Sequence, residues 1–301
     1  MIAAIALILL LDLFVSERFQ NLTYYLTQST LAITGYFAFN LIGESAVIFD
    51  GTYVLDTIGS YFKVFMMVFS IVALVYSRHY LRAHNLLKGE YFILSLLSVL
   101  GMMVMVSAHS MLTIYLGLEI MSLSLYTLIA IARDRAVAVE AALKYFVLGA
   151  IASGLLLYGM SMIYGITGSL DIGQIAAFAT GANLNSEQVL ILNFGLVFLV
   201  IGIAFKFGAV PFHMWVPDVY QGAPTSVTMF LSTVPKFAAT AMLVRLLIDG
   251  LGGLQAYWAD LFIILAILSI GLGSLVALMQ TNIKRLLAYS TISHIGFILL
   301  G

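Results

Sequence analysis

The 301-residue sequence predicts an all-α integral membrane protein of about ten transmembrane helices, and three observations predict it. Hydrophobic residues make up 62% of the chain and charged residues 9%, where a soluble domain carries about 25% charged residues. Apolar runs of ~20 residues, long enough to cross the hydrocarbon, recur along the whole length. The Lys and Arg between those runs fall on one side only if the runs alternate in direction.

Composition also excludes. A mean hydropathy of +1.09 leaves more apolar surface than one soluble core of this size can hide. The formal net charge of -1 offers no basic face for nucleic acid. There is no cysteine, so disulfides, thiolate-held iron–sulfur clusters and cysteine nucleophiles are ruled out. No GxGxxG after a strand-like run, no Walker A motif and no HExxH is present, so redox or nucleotide chemistry belongs to a partner. Met1 to Val15 lacks a basic n-region and is broken by Asp12, which favours a first membrane span over a cleaved signal peptide.

Read in order, the spans fall at 1–16, 21–42, 57–77, 90–108, 110–132, 137–165, 189–210, 225–248, 258–280 and 284–301. The loops after the first, third, fifth and ninth hold Arg18; Arg78, Arg82 and Lys88; Arg133 and Arg135; and Lys284 with Arg285. Those are eight of the 13 basic residues. The opposite loops carry Glu44, Asp50, Asp171, Glu187 and Asp249 instead. The positive-inside rule makes the basic side cytoplasmic and puts the N-terminus outside. Lys63 and Arg245 lie toward span ends and read as snorkelling to the headgroups.

Lys206-Phe-Gly-Ala-Val-Pro211 is followed by Pro217 and Pro224. These prolines with Gly208 and Gly222 do not fit one unbroken helix, so a helical interruption is expected between Lys206 and Gly222. Broken backbone at membrane depth is tolerated against protein or water, and often marks a transport site. Glu119 sits mid-span in the fifth helix, Lys236 mid-span in the eighth, Lys206 beside the break in the seventh, and Lys144 about two turns into the sixth. An ionisable side chain at such depth costs several kcal/mol unless paired or hydrated. A static Glu–Lys pair is one reading. A proton relay is the other: burial brings a lysine within reach of neutrality, and a carboxylate close by restores its charge. Glu119 is therefore expected close enough to Lys206 to influence its protonation. His294, about ten residues into the tenth span, is a further titratable group. No metal site and no cofactor-binding residue is predicted in this chain.

Lys206-Phe-Gly-Ala-Val-Pro-Phe-His-Met-Trp-Val-Pro-Asp-Val-Tyr-Gln-Gly-Ala-Pro-Thr225, continuing to Pro235-Lys236, resembles the signature of the antiporter-like subunits of respiratory complex I, the proton-translocating NADH:quinone oxidoreductase. Gly117-Leu-Glu119 and Thr281 to Gly296 are similar as well. The Asp218 to Pro224 stretch looks like the N branch of that family rather than its L and M branches. The resemblance implies two inverted five-helix repeats, spans four to eight and nine to thirteen. On that basis residues 1–89 form an N-terminal three-helix segment, 90–249 the first repeat, and 258–301 the start of the second. It also implies a proton relay through Glu119, Lys206, Lys236 and Lys144, with His294 as a possible member. NADH, FMN, iron–sulfur clusters and quinone would sit in partner subunits. Partners would be other membrane subunits, neighbouring antiporter-like ones included, within the bacterial inner membrane.

The family's second broken helix carries a further lysine, and the sequence stops before it. Residues 1–301 alone are accordingly expected not to translocate protons. A subunit of a multisubunit cation/proton antiporter is the competing function, and a passive membrane scaffold a third. Direct quinone chemistry in this chain has no motif to support it.

Overall fold

The computed structural model describes residues 1–14, 20–181 and 185–301. Arg18, placed in the first basic loop, lies outside the described residues. The elements run α1 (Ile2–Asp12), α2 (Gln20–Asn40), β1 (Ala46–Ile48), β2 (Tyr53–Leu55), α3 (Thr57–Ala83), α4 (Gly89–Val106), α5 (Met111–Ile129) and α6 (Ala136–Thr167). They continue with α7 (Ile172–Ala179), α8 (Ser186–Phe207), α9 (Trp215–Gly222), α10 (Thr225–Leu243), α11 (Gln255–Leu278) and α12 (Ile283–Leu300).

Among the described residues, eight helices are long and apolar enough to cross a membrane. All ten expected spans are helices, but two fall short of that measure. α1 is apolar yet has 11 residues. α2 has 21 residues, diluted by Thr, Gln, Ser and Asn. The ends are set by local chemistry. Asp56 caps α3 by accepting from the Gly59 N–H, and Asn185 with Gln188 forms a capping box on α8. Asn282 caps α12 through the Lys284 and Arg285 N–H groups. Three features escaped the hydropathy reading because they are short: the two-stranded hairpin, α7, and a π-helical turn over Val244–Gly250.

The chain divides into two compact units. The first comprises Met1–Ala108, Thr113–Ala142 and Gly222–Ala241. Within it α2, α3 and α4 pack on one another, and the hairpin is pinned to the end of α4 by a Val54 N–H bond to the Ser107 carbonyl of 2.8 Å. Lys63 is buried, its Nζ 3.2 Å from the Tyr53 hydroxyl, so it is held by the hairpin rather than extended to headgroups. α4 and α5 meet backbone to backbone: a Cβ on Gly117 would lie 2.7 Å from the Gly101 carbonyl oxygen and 2.7 Å from the Met105 nitrogen. Only glycine permits that approach, which fixes α5 two residues before Glu119.

The second unit comprises His109–Leu112, Leu143–Gln221 and Met242–Gly301. Here α11 and α12 form a close hairpin, α8 packs on α11, and α7 packs on the π-helical turn. Arg245 is buried too, ion-paired at 3.1 Å with Asp249 one helical turn later, so snorkelling is not its role either.

Candidate functional site

The expected interruption lies between α8 and α9. α8 ends at Phe207, and Gly208 adopts the left-handed conformation at φ 77°. Its N–H reaches the Ala204 carbonyl at 2.9 Å, and the Ala209 N–H shares the same carbonyl at 2.9 Å, closing the helix as glycine C-caps do. The Val210–Pro211 peptide is cis. α9 then starts at Trp215 with Pro217 in its first turn, where the missing N–H costs nothing.

The freed backbone is satisfied by side chains. The Val210 N–H donates to the Ser269 Oγ of α11 at 2.9 Å, a fully buried bond. The Trp215 indole Nε1 donates to the Phe205 carbonyl at 2.9 Å. The Trp215 ring stacks on Tyr145 of α6 with centroids 4.5 Å apart. Tyr145 also lies parallel to Phe205 at 6.4 Å. This aromatic clamp grips the break at the residues adjacent in sequence to Lys144 and Lys206.

Lys206, in the last turn of α8, is buried, 7% exposed. Its Nζ lies 5.9 Å from the Phe205 ring centroid. Lys144 is arranged differently. Its Nζ makes an ion pair of 2.9 Å with Asp218 of α9, and the other Asp218 oxygen takes the Arg285 Nη1 of α12 at 2.8 Å. Arg285 Nη1 also donates to the Gln221 Oε1 at 3.1 Å. Asp218 thus bridges two cations, each near the start of its helix. The bridge is half-open to its surroundings, with side-chain exposures of 44% for Lys144 and 35% for Asp218.

Glu119 and Lys236 belong to the first unit; Lys144, Lys206 and His294 belong to the second. Glu119 is half-buried on α5, on the face that also carries buried Ser122 and Tyr126. Lys236 is half-buried and follows Pro235 inside α10. The adjacent Phe237 stacks on Phe69 at 5.1 Å and Phe65 at 6.0 Å, holding this stretch of α10 against α3. His294 is exposed on α12, its ring 6.5 Å from that of Phe297. Sequence reasoning placed none of Asp218, Arg285, Tyr145, Trp215 or Ser269 among the site residues. Asp218 was visible only as an acid within the motif around the break. Lys144 and Asp218 are 74 positions apart, and Asp218 and Arg285 are 67 apart, so no local pattern joins them.

Residues 108–301, which include the break and its anchors, match the family described as NADH:quinone oxidoreductase/Mrp antiporter, TM. The chain belongs to this family. Curated relatives of the NADH:quinone oxidoreductase/Mrp antiporter family include NADH-quinone oxidoreductase subunit N of Ruthia magnifica, 71% identical over 302 aligned positions, which cover 100% of this chain and 62% of the relative. The protein of the same name from Alkalilimnicola ehrlichii is 52% identical and is covered over 61% of its length. The chain thus spans a little over three-fifths of the curated relatives it matches. Among solved structures it resembles a chain of respiratory complex I from Thermus thermophilus with bound aureothin, at 31% identity and a TM-score of 0.83, covering 99% of this chain and 62% of that one. A chain of the Mrp complex from Dietzia shares the fold, with a TM-score of 0.82 at 21% identity, covering 98% of this chain and 57% of the other.

Proposed function

We propose that this chain belongs to a proton-translocating membrane subunit of NADH:quinone oxidoreductase. Its relay is Glu119, Lys144, Lys206 and Lys236, with His294 as a possible further member. Redox chemistry, with NADH, FMN, iron–sulfur clusters and quinone, belongs to other subunits of the complex in this reading; for the clusters, residues 1–301 contain no cysteine thiolate to hold one. Neighbouring antiporter-like subunits are its membrane partners. Its place is the bacterial inner membrane, with the basic loops facing the cytoplasm and the N-terminus outside. Residues 90–249 form one five-helix repeat in this reading, and 258–301 begin its inverted counterpart.

The observation that carries the reading is a buried lysine in the last turn of a helix that breaks inside an apolar chain. A purely structural break needs no ionisable group, and a buried lysine costs several kcal/mol unless its charge is used or compensated. The names of the relatives support the oxidoreductase over a cation/proton antiporter.

The test is proton pumping by the complete complex in liposomes, driven by NADH oxidation. Lys206→Ala is expected to reduce pumping about tenfold or more, since positioned proton-transfer groups commonly contribute a hundredfold or greater. Glu119→Gln should impair it as well, while Lys88→Ala, in the basic loop, should not. Wild-type pumping by an assembled Lys206→Ala complex rejects the relay role.

A further inference from the structure

We infer that the end of the first unit where α2 begins and α3 finishes is a binding site for the phosphodiester of a lipid headgroup. Arg78 and Arg82 lie one turn apart near the end of α3. Each directs an Nη2 at the same acceptor, the Asn21 Oδ1, and each bond is 3.1 Å long. Arg78 Nη2 also donates to the Tyr25 hydroxyl at 3.3 Å. The Arg78 guanidinium carbon lies 4.8 Å from the Tyr24 ring centroid and 5.2 Å from that of Tyr25, so two rings fix its plane.

Among the described residues, every acceptor in this cluster is neutral. Two guanidinium groups converge on one amide oxygen, and among the described residues neither makes an ion pair. The buried Arg78 Nε has no hydrogen-bond partner among the described residues. Three arginines elsewhere in the chain have carboxylates: Glu90 for Arg133, Asp249 for Arg245 and Asp218 for Arg285. Like charges held together on a neutral acceptor repel each other, and an anion removes that cost. Planar guanidinium forks match the oxygens of a phosphate in shape as well as charge.

Position selects a lipid over a free anion. The cluster sits at helix ends, the level where headgroups lie. One and two turns deeper on α3, Val75 and Val72 are exposed, and Tyr25 is exposed beside them on α2. A headgroup phosphate in the fork therefore has apolar side chains for its acyl chains to follow. Inorganic phosphate has no use for that strip. Membrane surfaces attract such basic residues by about fivefold in affinity each.

The test uses the complete complex, delipidated in detergent and re-supplied with phosphatidylglycerol carrying a photoreactive headgroup. Adducts are mapped by mass spectrometry. The wild type should be labelled on peptides covering 21–25 and 76–84, and unlabelled phosphatidylglycerol should compete. The double variant Arg78→Gln/Arg82→Gln should lose labelling about twenty- to thirtyfold. A double lysine variant, which keeps charge but not the fork, should lose less. Arg133→Gln should label as wild type. If the double glutamine variant fails to assemble, Arg82→Gln alone should lose about fivefold. Undiminished labelling in the glutamine variants overturns the inference. So does equal competition by inorganic phosphate, which would mark a free-anion site. A resolved structure of the complex with a neighbouring subunit's carboxylate in the fork would overturn it too.

Discussion

Two lysines that look alike in sequence turn out to have different surroundings. Lys206 is buried in the last turn of α8, whereas Lys144 makes a half-exposed ion pair with Asp218, which also holds Arg285. Exposed ion pairs contribute about 1 kcal/mol or less, so this bridge is a weak source of stability. Its value lies in position, because it ties α9 to the starts of α6 and α12. Asp218→Asn is therefore expected to cost assembly little and pumping much. In that background Lys144→Met should add almost nothing, because the partner it would lose is already neutral. A double-mutant cycle on protons pumped per NADH checks this; full additivity of the two effects would show that the pair does not act as a unit. The burial of Lys206 was legible, since an apolar run of this length around one lysine leaves few alternatives. The Lys144 partnership was not, because it depends on which distant segment the break turns toward.

The helices themselves were mostly readable. Apolar length located all ten expected spans, though α3 runs six residues past its expected end, and proline with glycine located the break. Short elements were not legible, since α7 and the hairpin carry no long apolar period and are held by contacts with other segments. Neither was the crossing of α4 and α5. A glycine in an apolar run does not announce whether lipid or a neighbouring backbone faces it. Here Gly117 and Gly101 face each other, and a Cβ would fall 2.7 Å from backbone atoms on the other helix. Overpacking of this kind typically costs about 1–3 kcal/mol. Gly117→Val should consequently reduce the assembled subunit several-fold in membranes, by quantitative immunoblotting, while Leu116→Val on the exposed side should not. Equal abundance of the two variants would mean that the helices separate without penalty.

At the scale of the whole molecule, orientation is the property most open to a direct check. The basic residues cluster at and between alternate helix ends, and Asp218 of α9 holds both Lys144 of α6 and Arg285 of α12. The absence of native cysteine makes labelling clean. A cysteine replacing exposed Arg133 should react with an impermeant maleimide only from the cytoplasmic side, and one replacing exposed Glu44 only from the other. The reverse pattern would invert the proposed topology, and reaction of both from one side would break the alternation of spans. Family membership was legible at this scale through the motif around the break, which lies within residues 108–301 matched to the family.

The bond from the Val210 amide to the buried Ser269 hydroxyl has a consequence in time as well as in space. An amide in irregular backbone ordinarily trades its proton with solvent quickly, whereas one bonded inside a packed core waits for an opening event. Val210 should thus exchange with deuterium as slowly as an amide in the middle of a helix, although it lies in none. Ser269→Ala should raise its exchange rate by tenfold or more, roughly what losing a bond of about 1.5 kcal/mol implies. The amides of α11 should keep their pace. Fast exchange at Val210 in the unaltered protein would mean that the break opens by itself, without release by α11.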